Sequence, residues 1–301
     1  MSGLRIACIG EAMLELRVSS VPGPAEVGVA GDVLNTAIYL RRMLSKEHGV
    51  SFVSLVGQDR LSDDIARFIA EQGVDTANLG QIEERLPGIY AITTDNAGER
   101  SFHYWRQASA ARLQFQEGET LDFTALEAFD VIYLSAISLA ILPDEVRQGF
   151  LTWLDGFRAE GGRFVFDSNY RPRLWESEEV ARATVKACWQ RCDIALPSVD
   201  DEMALFGDAV ETDVLTRFNA YGTCTGALKR GFLGPVSINL DSSAQVFEPA
   251  KNVIDTTAAG DGFNGGYLAA RLSGSTQDEA LMQGHELASR IVGHPGAIIP
   301  T

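Results

Sequence analysis

Short apolar runs recur along the chain, separated by stretches in which apolar residues return every third or fourth position. The runs at 4–10, 51–56, 131–134, 163–166, 193–196 and 224–228 predict buried strands. Residues 32–46, 61–72, 144–160 and 177–191 carry helical spacing, and 266–291 predicts two further helices. Strands alternating with helices in this way build a parallel sheet covered on both faces, a three-layer αβα arrangement.

Two regions depart from that rhythm. Residues 14–30 and 79–106 hold no long helix but carry alternating runs rich in strand-forming residues, among them 88–94 and 100–106. Asp95-Asn-Ala-Gly98 between these runs has the composition of a hairpin turn. They predict a small antiparallel sheet, a lid spanning about 12–30 and 79–107, within a single domain of residues 1–301. Such a sheet can close over the carboxyl ends of the parallel strands, where ligands bind in open α/β folds. It can equally be a structural flap or a dimer edge. A sheet exposed on one face needs a cover, so a homodimer through the lid is expected.

Composition narrows the function classes. The 301 residues contain 25 Lys and Arg against 41 Asp and Glu, a net charge of −16, with 46% apolar residues. Enough apolar surface is present to fold, and the charge argues against nucleic-acid or anionic-membrane partners. The longest apolar run, 131–143, is too short for a membrane span and is interrupted by Ser135 and Ser138. The N-terminus reaches Glu11 quickly and predicts a strand rather than a signal peptide. Four cysteines without a C-x-x-C pair suit a reduced, cytoplasmic protein, and four scattered histidines suggest no zinc site.

Candidate chemistry lies near the C-terminus. Gly260-Asp-Gly-Phe-Asn-Gly265 is a literal G-x-G-x-x-G, but a dinucleotide fingerprint should follow a strand early in a βαβ unit. Here two helices follow instead. The wider window, Asp255-Thr-Thr-Ala-Ala-Gly-Asp261, places small residues at 258–260 just before a helix. Their backbone N–H groups, with the helix dipole, can form an anion hole. Asp261 then falls in the first helical turn. It is either an ordinary helix-start Asp or a carboxylate placed to take a proton from an attacking hydroxyl.

The same segment resembles the C-terminal signature of ribokinase-like, PfkB-type carbohydrate kinases, and Ala30-Gly-Asp-Val-Leu-Asn35 resembles their sugar-binding motif. Further stretches are similar to the subgroup acting on 2-keto-3-deoxygluconate. They are Leu86-Pro-Gly-Ile-Tyr90, Tyr104-Trp-Arg106, Leu134-Ser-Ala-Ile-Ser-Leu-Ala-Ile141, Asn169-Tyr-Arg-Pro-Arg-Leu-Trp175, Lys229-Arg-Gly231 and Gly296-Ala-Ile-Ile-Pro300. The resemblance covers the whole chain in order. It implies a ribokinase-like fold and ATP-dependent phosphorylation of the sugar acid's 6-hydroxyl, with Mg²⁺ and with K⁺ as a family option. Kinases for fructose, 2-keto-3-deoxygalactonate or a nucleoside, and a sensor that binds without turnover, stay as alternatives.

By resemblance, Asp261 is the base, and the N–H groups of Ala258, Ala259 and Gly260 receive the transferred phosphoryl group. Gly31, Asp32 and Asn35 hold sugar hydroxyls; helix capping is the other reading of Asp32 and Asn35. Tyr90, Tyr104 and Arg106 in the lid grip the substrate carboxylate, and Arg171 bridges substrate and phosphates unless it is a surface salt bridge. Tyr90 and Tyr104 could instead simply pack on the sheet. Asn169, Arg171, Lys229, Gly231 and Gly234 serve the nucleotide, and His285 and Ala288 lie near the adenine. K⁺ would sit near Asp255 and Thr257. Three departures stand out: Ala30 where relatives often have Gly, Ala258 where many have Gly, and Ser198-Val-Asp-Asp-Glu202 where an Asn-x-x-Glu pattern assists Mg²⁺. Ala30 crowds the sugar only with a positive φ, and Ala258 fits its role most simply with a negative one. The metal ligands are left unassigned.

Overall fold

The structure is a computed structural model, and it describes residues 3–18, 23–94, 100–222 and 224–300. In chain order the first strands are β1 (Arg5–Ile9), β2 (Met13–Val18) and β3 (Glu26–Ala30), followed by α1 (Asp32–Met43), β4 (Gly49–Gly57) and α2 (Arg60–Glu71). Next come β5 (Leu79–Ile82), β6 (Gly88–Thr94), β7 (Arg100–Trp105), β8 (Gln116–Glu117), β9 (Thr120–Leu121) and β10 (Val131–Ser135). Helices α3 (Ala136–Ala140) and α4 (Asp144–Ala159), β11 (Arg163–Asp167), α5 (Glu178–Trp189) and β12 (Ile194–Ala195) follow. The chain closes with α6 (Val199–Phe206), α7 (Glu211–Tyr221), β13 (Thr225–Leu228), β14 (Val236–Ile238), α8 (Ala259–Leu272) and α9 (Gln277–Ile291).

The large sheet has the order β14-β13-β12-β11-β10-β1-β4-β5 and is parallel except for the β13–β14 pair. Alternate residues of each strand face opposite layers, as strand geometry requires. Ile6, Cys8, Val131 and Tyr133 pack into one core with α1, α2, α8 and α9. Ala7, Ile9, Ile132 and Leu134 pack into the other with α4, α5 and α7. From β1 the chain winds first toward β5 and later, from β10, toward β14. The strand order therefore reverses between β1 and β10, and the crevice at their carboxyl ends is the topological binding position.

The small sheet has the order β3-β2-β6-β7. Two expectations change here. The sheet is mixed, because β2 and β6 pair in parallel. Residues 79–82, included in the lid range, instead form the parallel edge β5 of the large sheet. Alternation alone does not tell an edge strand of one sheet from a strand of the other. The turn expected at 95–98 lies outside the described residues. The four cysteines are buried free thiols.

The glycines of the C-terminal motif have a packing role. A Cβ on Gly265 would lie 2.7 Å from Tyr39 Cβ and 3.0 Å from the Leu40 nitrogen; one on Gly262 would lie 2.0 Å from Ile291 Cδ1. Helix α8 thus needs bare backbone to approach α1 and α9 this closely. The literal dinucleotide pattern is a helix-packing surface.

Candidate active site

Three carboxyl ends and two helix starts converge at the crevice. Gly31 precedes α1 in extended conformation, and a Cβ there would come within 2.1 Å of the Glu11 carbonyl oxygen. That contact explains the glycine and draws the start of α1 onto the end of β1. Asp32 then accepts hydrogen bonds from Ser135 Oγ at the end of β10 and from Asn169 Nδ2, at 2.8 Å, just beyond β11. Ala30 is an extended strand residue paired with Met13, so its methyl group carries no conformational penalty.

One turn into α1, Asn35 Nδ2 donates to Asp261 Oδ2 at 2.9 Å. This bond joins the expected sugar site to the expected base. Burial, then the Asp32 carboxylate, push the Asp261 carboxyl up to about 8; Asp167 adds to the rise, while the Asn35 bond and Lys229 oppose it. Thr36 Oγ1 donates to the Asp261 carbonyl at 3.2 Å.

The anion turn differs from its simplest expectation. Ala258 is left-handed, with φ 60° and ψ 14°, so the negative φ favoured from sequence is absent. The Ala259 N–H donates to the Thr256 carbonyl at 3.2 Å. Among the described residues, the N–H groups of Ala258 and Gly260 meet no protein acceptor, which leaves two of the three expected donors for an anion. Lys229 lies against this turn, since a Cβ on Gly260 would be 3.8 Å from its Nζ. Asp255 braces the turn: its carboxylate accepts from Thr257 N at 2.9 Å and Gly296 N at 2.7 Å.

The lid residues are brought together, but in altered roles. Tyr90 and Tyr104 are cross-strand partners with ring centroids 5.7 Å apart. Tyr90 is buried and donates its hydroxyl to Glu15. Tyr104 is 47% exposed, and its phenol is raised by burial while Arg106, Arg171 and Asp32 act on its charge. Tyr104 therefore faces the crevice, and Tyr90 forms its wall. Arg106 is not an open fork: it is buried and ion-paired with Glu11. Its Nε, Glu11 Oε1 and Asn35 Oδ1 are buried without a protein partner. Such orphaned polar atoms at one crevice suit a polar ligand.

Among the residues expected to serve the nucleotide, Arg171 is exposed and reaches Asp201 at 3.4 Å. Gly231 and Gly234 both have positive φ, 57° and 74°, and bracket a single 3-10 turn after Lys229. His285 is buried with Nε2 2.8 Å from the Glu248 carbonyl and its ring beside Phe247, while Ala288 packs against the core. In the stretch 198–202, Glu202 is fully buried on Trp189 and Arg217, a structural use. Asp201 instead faces Ser168 and Arg171, and burial raises its carboxyl. No group of three or more His, Cys, Asp or Glu able to hold a metal occurs among the described residues. A Mg²⁺ that arrives on a nucleotide needs only one or two carboxylates, and Asp201 fits that requirement.

Sequence reasoning missed Glu11, Glu15, Tyr133, Asp167 and Asn264. Ser135 was visible as an interruption of an apolar run and within the resembling stretch 134–141, with no role assigned. Polar residues at the carboxyl ends of predicted strands were the available signal for Ser135 and Asp167.

A parallel α/β sheet with its switch-point crevice, an anion turn and a helix-start carboxylate defines a phosphotransferase type of site. The chain belongs to the pfkB family of carbohydrate kinases, whose profile matches residues 4–301. It is 40% identical over 308 aligned residues to the 2-dehydro-3-deoxygluconokinase of Dickeya dadantii, covering 100% of this chain and 98% of the relative. It is 39% identical over 302 residues to the enzyme of the same name from Escherichia coli K12, covering 98% and 97%. The crystal structure of a PfkB protein from Polaromonas sp. JS666 has the same fold, with a TM-score of 0.83, 24% identity and coverage of 97% and 96%.

Proposed function

We propose that this protein transfers the γ-phosphoryl group of ATP to the 6-hydroxyl of 2-keto-3-deoxy-D-gluconate, giving the 6-phosphate and ADP. The observation that carries the chemistry is the Asn35–Asp261 hydrogen bond. It ties the Asp261 carboxylate to α1, which supports reading it as a base between a sugar held on α1 and an anion at the turn that starts α8. The substrate assignment draws on relatives of 39–40% identity over nearly the full chain.

In this reading Asp32 and Asn35 hold sugar hydroxyls. Asp261 takes the proton of the attacking hydroxyl, and the N–H groups of Ala258 and Gly260 with Lys229 stabilise charge on the transferred group. Tyr104, Arg106 and Arg171 orient the carboxylate end of the sugar acid. Arg106 acts with Glu11 as a fixed ion pair rather than as a free clamp. Mg²⁺ on the nucleotide, near Asp201, supplies neutralisation of the phosphate charge. A K⁺ requirement near Asp255 and Thr257 and a dimer through the lid belong to the same proposal.

The test is an ADP-release assay across hexoses, pentoses, nucleosides and keto-deoxy acids. The keto-deoxygluconate should turn over with the highest kcat/KM; a preference for fructose or a nucleoside would overturn the substrate. Asp261→Asn should bind both ligands and lose about 10²–10⁴-fold in kcat. Near-normal turnover in that variant would overturn the base.

A further inference from the structure

Beneath the anion turn lies a buried polar ring in which, Lys229 apart, no member has a task in the steps above. Lys229 Nζ donates to Asp167 Oδ1 at 2.8 Å and to Asn264 Oδ1 at 3.1 Å. The Asn264 amide then turns its nitrogen to Asp167 Oδ2 at 2.7 Å and to the Tyr133 hydroxyl at 3.1 Å. Tyr133 meets Thr36 Oγ1 at 3.1 Å, and Thr36 donates to the Asp261 carbonyl. Asn264 is fully buried, and Asp167 nearly so. The three side chains of Lys229, Asp167 and Asn264 close on one another with the amide as the only neutral member. Asn264 follows Asp261 by three positions on α8, so both lie on one helix face.

We propose that Asn264 is a positioning residue for the phosphoryl transfer: it holds the Lys229 ammonium under the anion turn, with Asp167 as the fixed counter-charge. A lysine ends in a compact charge on a flexible stem, and it contributes most to a transition state when its place is set beforehand. Asp167 alone would anchor the ammonium at one point. The second anchor from Asn264 fixes its direction, and the Asn264–Asp167 bond fixes the counter-charge.

The inference rests on the reading that the transferred group sits at the turn 258–260. It is tested with Asn264→Ala, Lys229→Met and the double variant, in steady-state assays with ATP and the sugar acid. Asn264→Ala should lower kcat more than threefold and leave KM for the sugar acid within twofold. The double variant should fall within threefold of Lys229→Met alone, because Asn264 acts through that lysine. A kcat within threefold of wild type in folded Asn264→Ala would overturn the proposal. So would a double variant whose loss is the product of the two single losses. Asn264→Ser runs the same cycle if the alanine variant is insoluble. Failure of the kinase reading shows separately, as unimpaired turnover in Asp261→Asn or no ADP release with any sugar acid.

Discussion

At the scale of single residues, Asp261, the proposed base, has the environment with the most consequences for pH dependence. Its carboxyl stands at about 8 because burial and Asp32 outweigh the help from Asn35 and Lys229. Asp167, Tyr39 and Tyr133 also share its field. The carboxylate form, which the proposed mechanism requires, is therefore the minority form below that value. We expect kcat/KM to climb with pH as one proton is lost and to level off above about 8; a flat profile from mildly acidic to alkaline pH would contradict it. The same shift has a stability consequence. Between its ordinary value of 3.8 and about 8 the folded carboxyl keeps a proton that the unfolded chain has released. This group therefore costs stability progressively as pH rises through that window. Calorimetry of the ligand-free protein should give Asp261→Asn the higher Tm at pH 8, with the gap closing toward pH 4. The sequence displayed Asp32, Asn35 and Asp261 because each stands at a helix start marked by small residues. The role of Arg106 was less legible: its partner Glu11 is 95 positions away, and only the fold brings the two together.

At the scale of elements, local pattern carried most strands and helices, since short apolar runs and helical spacing are each contained in one local window. It failed where an element is defined by its neighbour. Residues 79–82 alternate like the lid strands yet pair with β4, and β2 meets β6 in parallel. The anion turn is a case where a residue and its element disagree. Ala258 holds a left-handed φ of 60° that L-residues adopt at a cost. Ala258→Gly should relieve it and stabilise the protein by about 1 kcal/mol, with kcat retained. Urea unfolding checks this, and a loss of stability would show that the methyl group packs usefully. The glycines of α8 were equally visible in sequence but misleading in meaning. Their bare faces answer to Tyr39, Leu40 and Ile291, which no local window contains.

At the scale of the whole molecule, a charge of −16 coexists with a site meant for two anions. Lys229, Arg106 and Arg171 stand at the crevice, each beside a carboxylate, together with the turn's N–H groups, so net charge says little about it. The lid has one face toward that crevice, with Tyr90 and Tyr104. Its other face leaves Val27 63% and Trp105 59% exposed. Light scattering should give twice the chain mass, and Val27→Asp with Trp105→Ser should give the monomer; a monomeric wild type would refute the lid dimer. The close seating of α8 on α1 has one more consequence. Helices α1 and α8, which carry Asn35 and Asp261, are locked backbone to backbone, so neither can shift without opening the core. Adjustment to a new sugar must fall to the lid, which touches this locked pair only at its edge. The molecule is thus a fixed chassis with an exchangeable jaw: rewriting β2, β6 and β7 could change what is phosphorylated while leaving how it is phosphorylated intact.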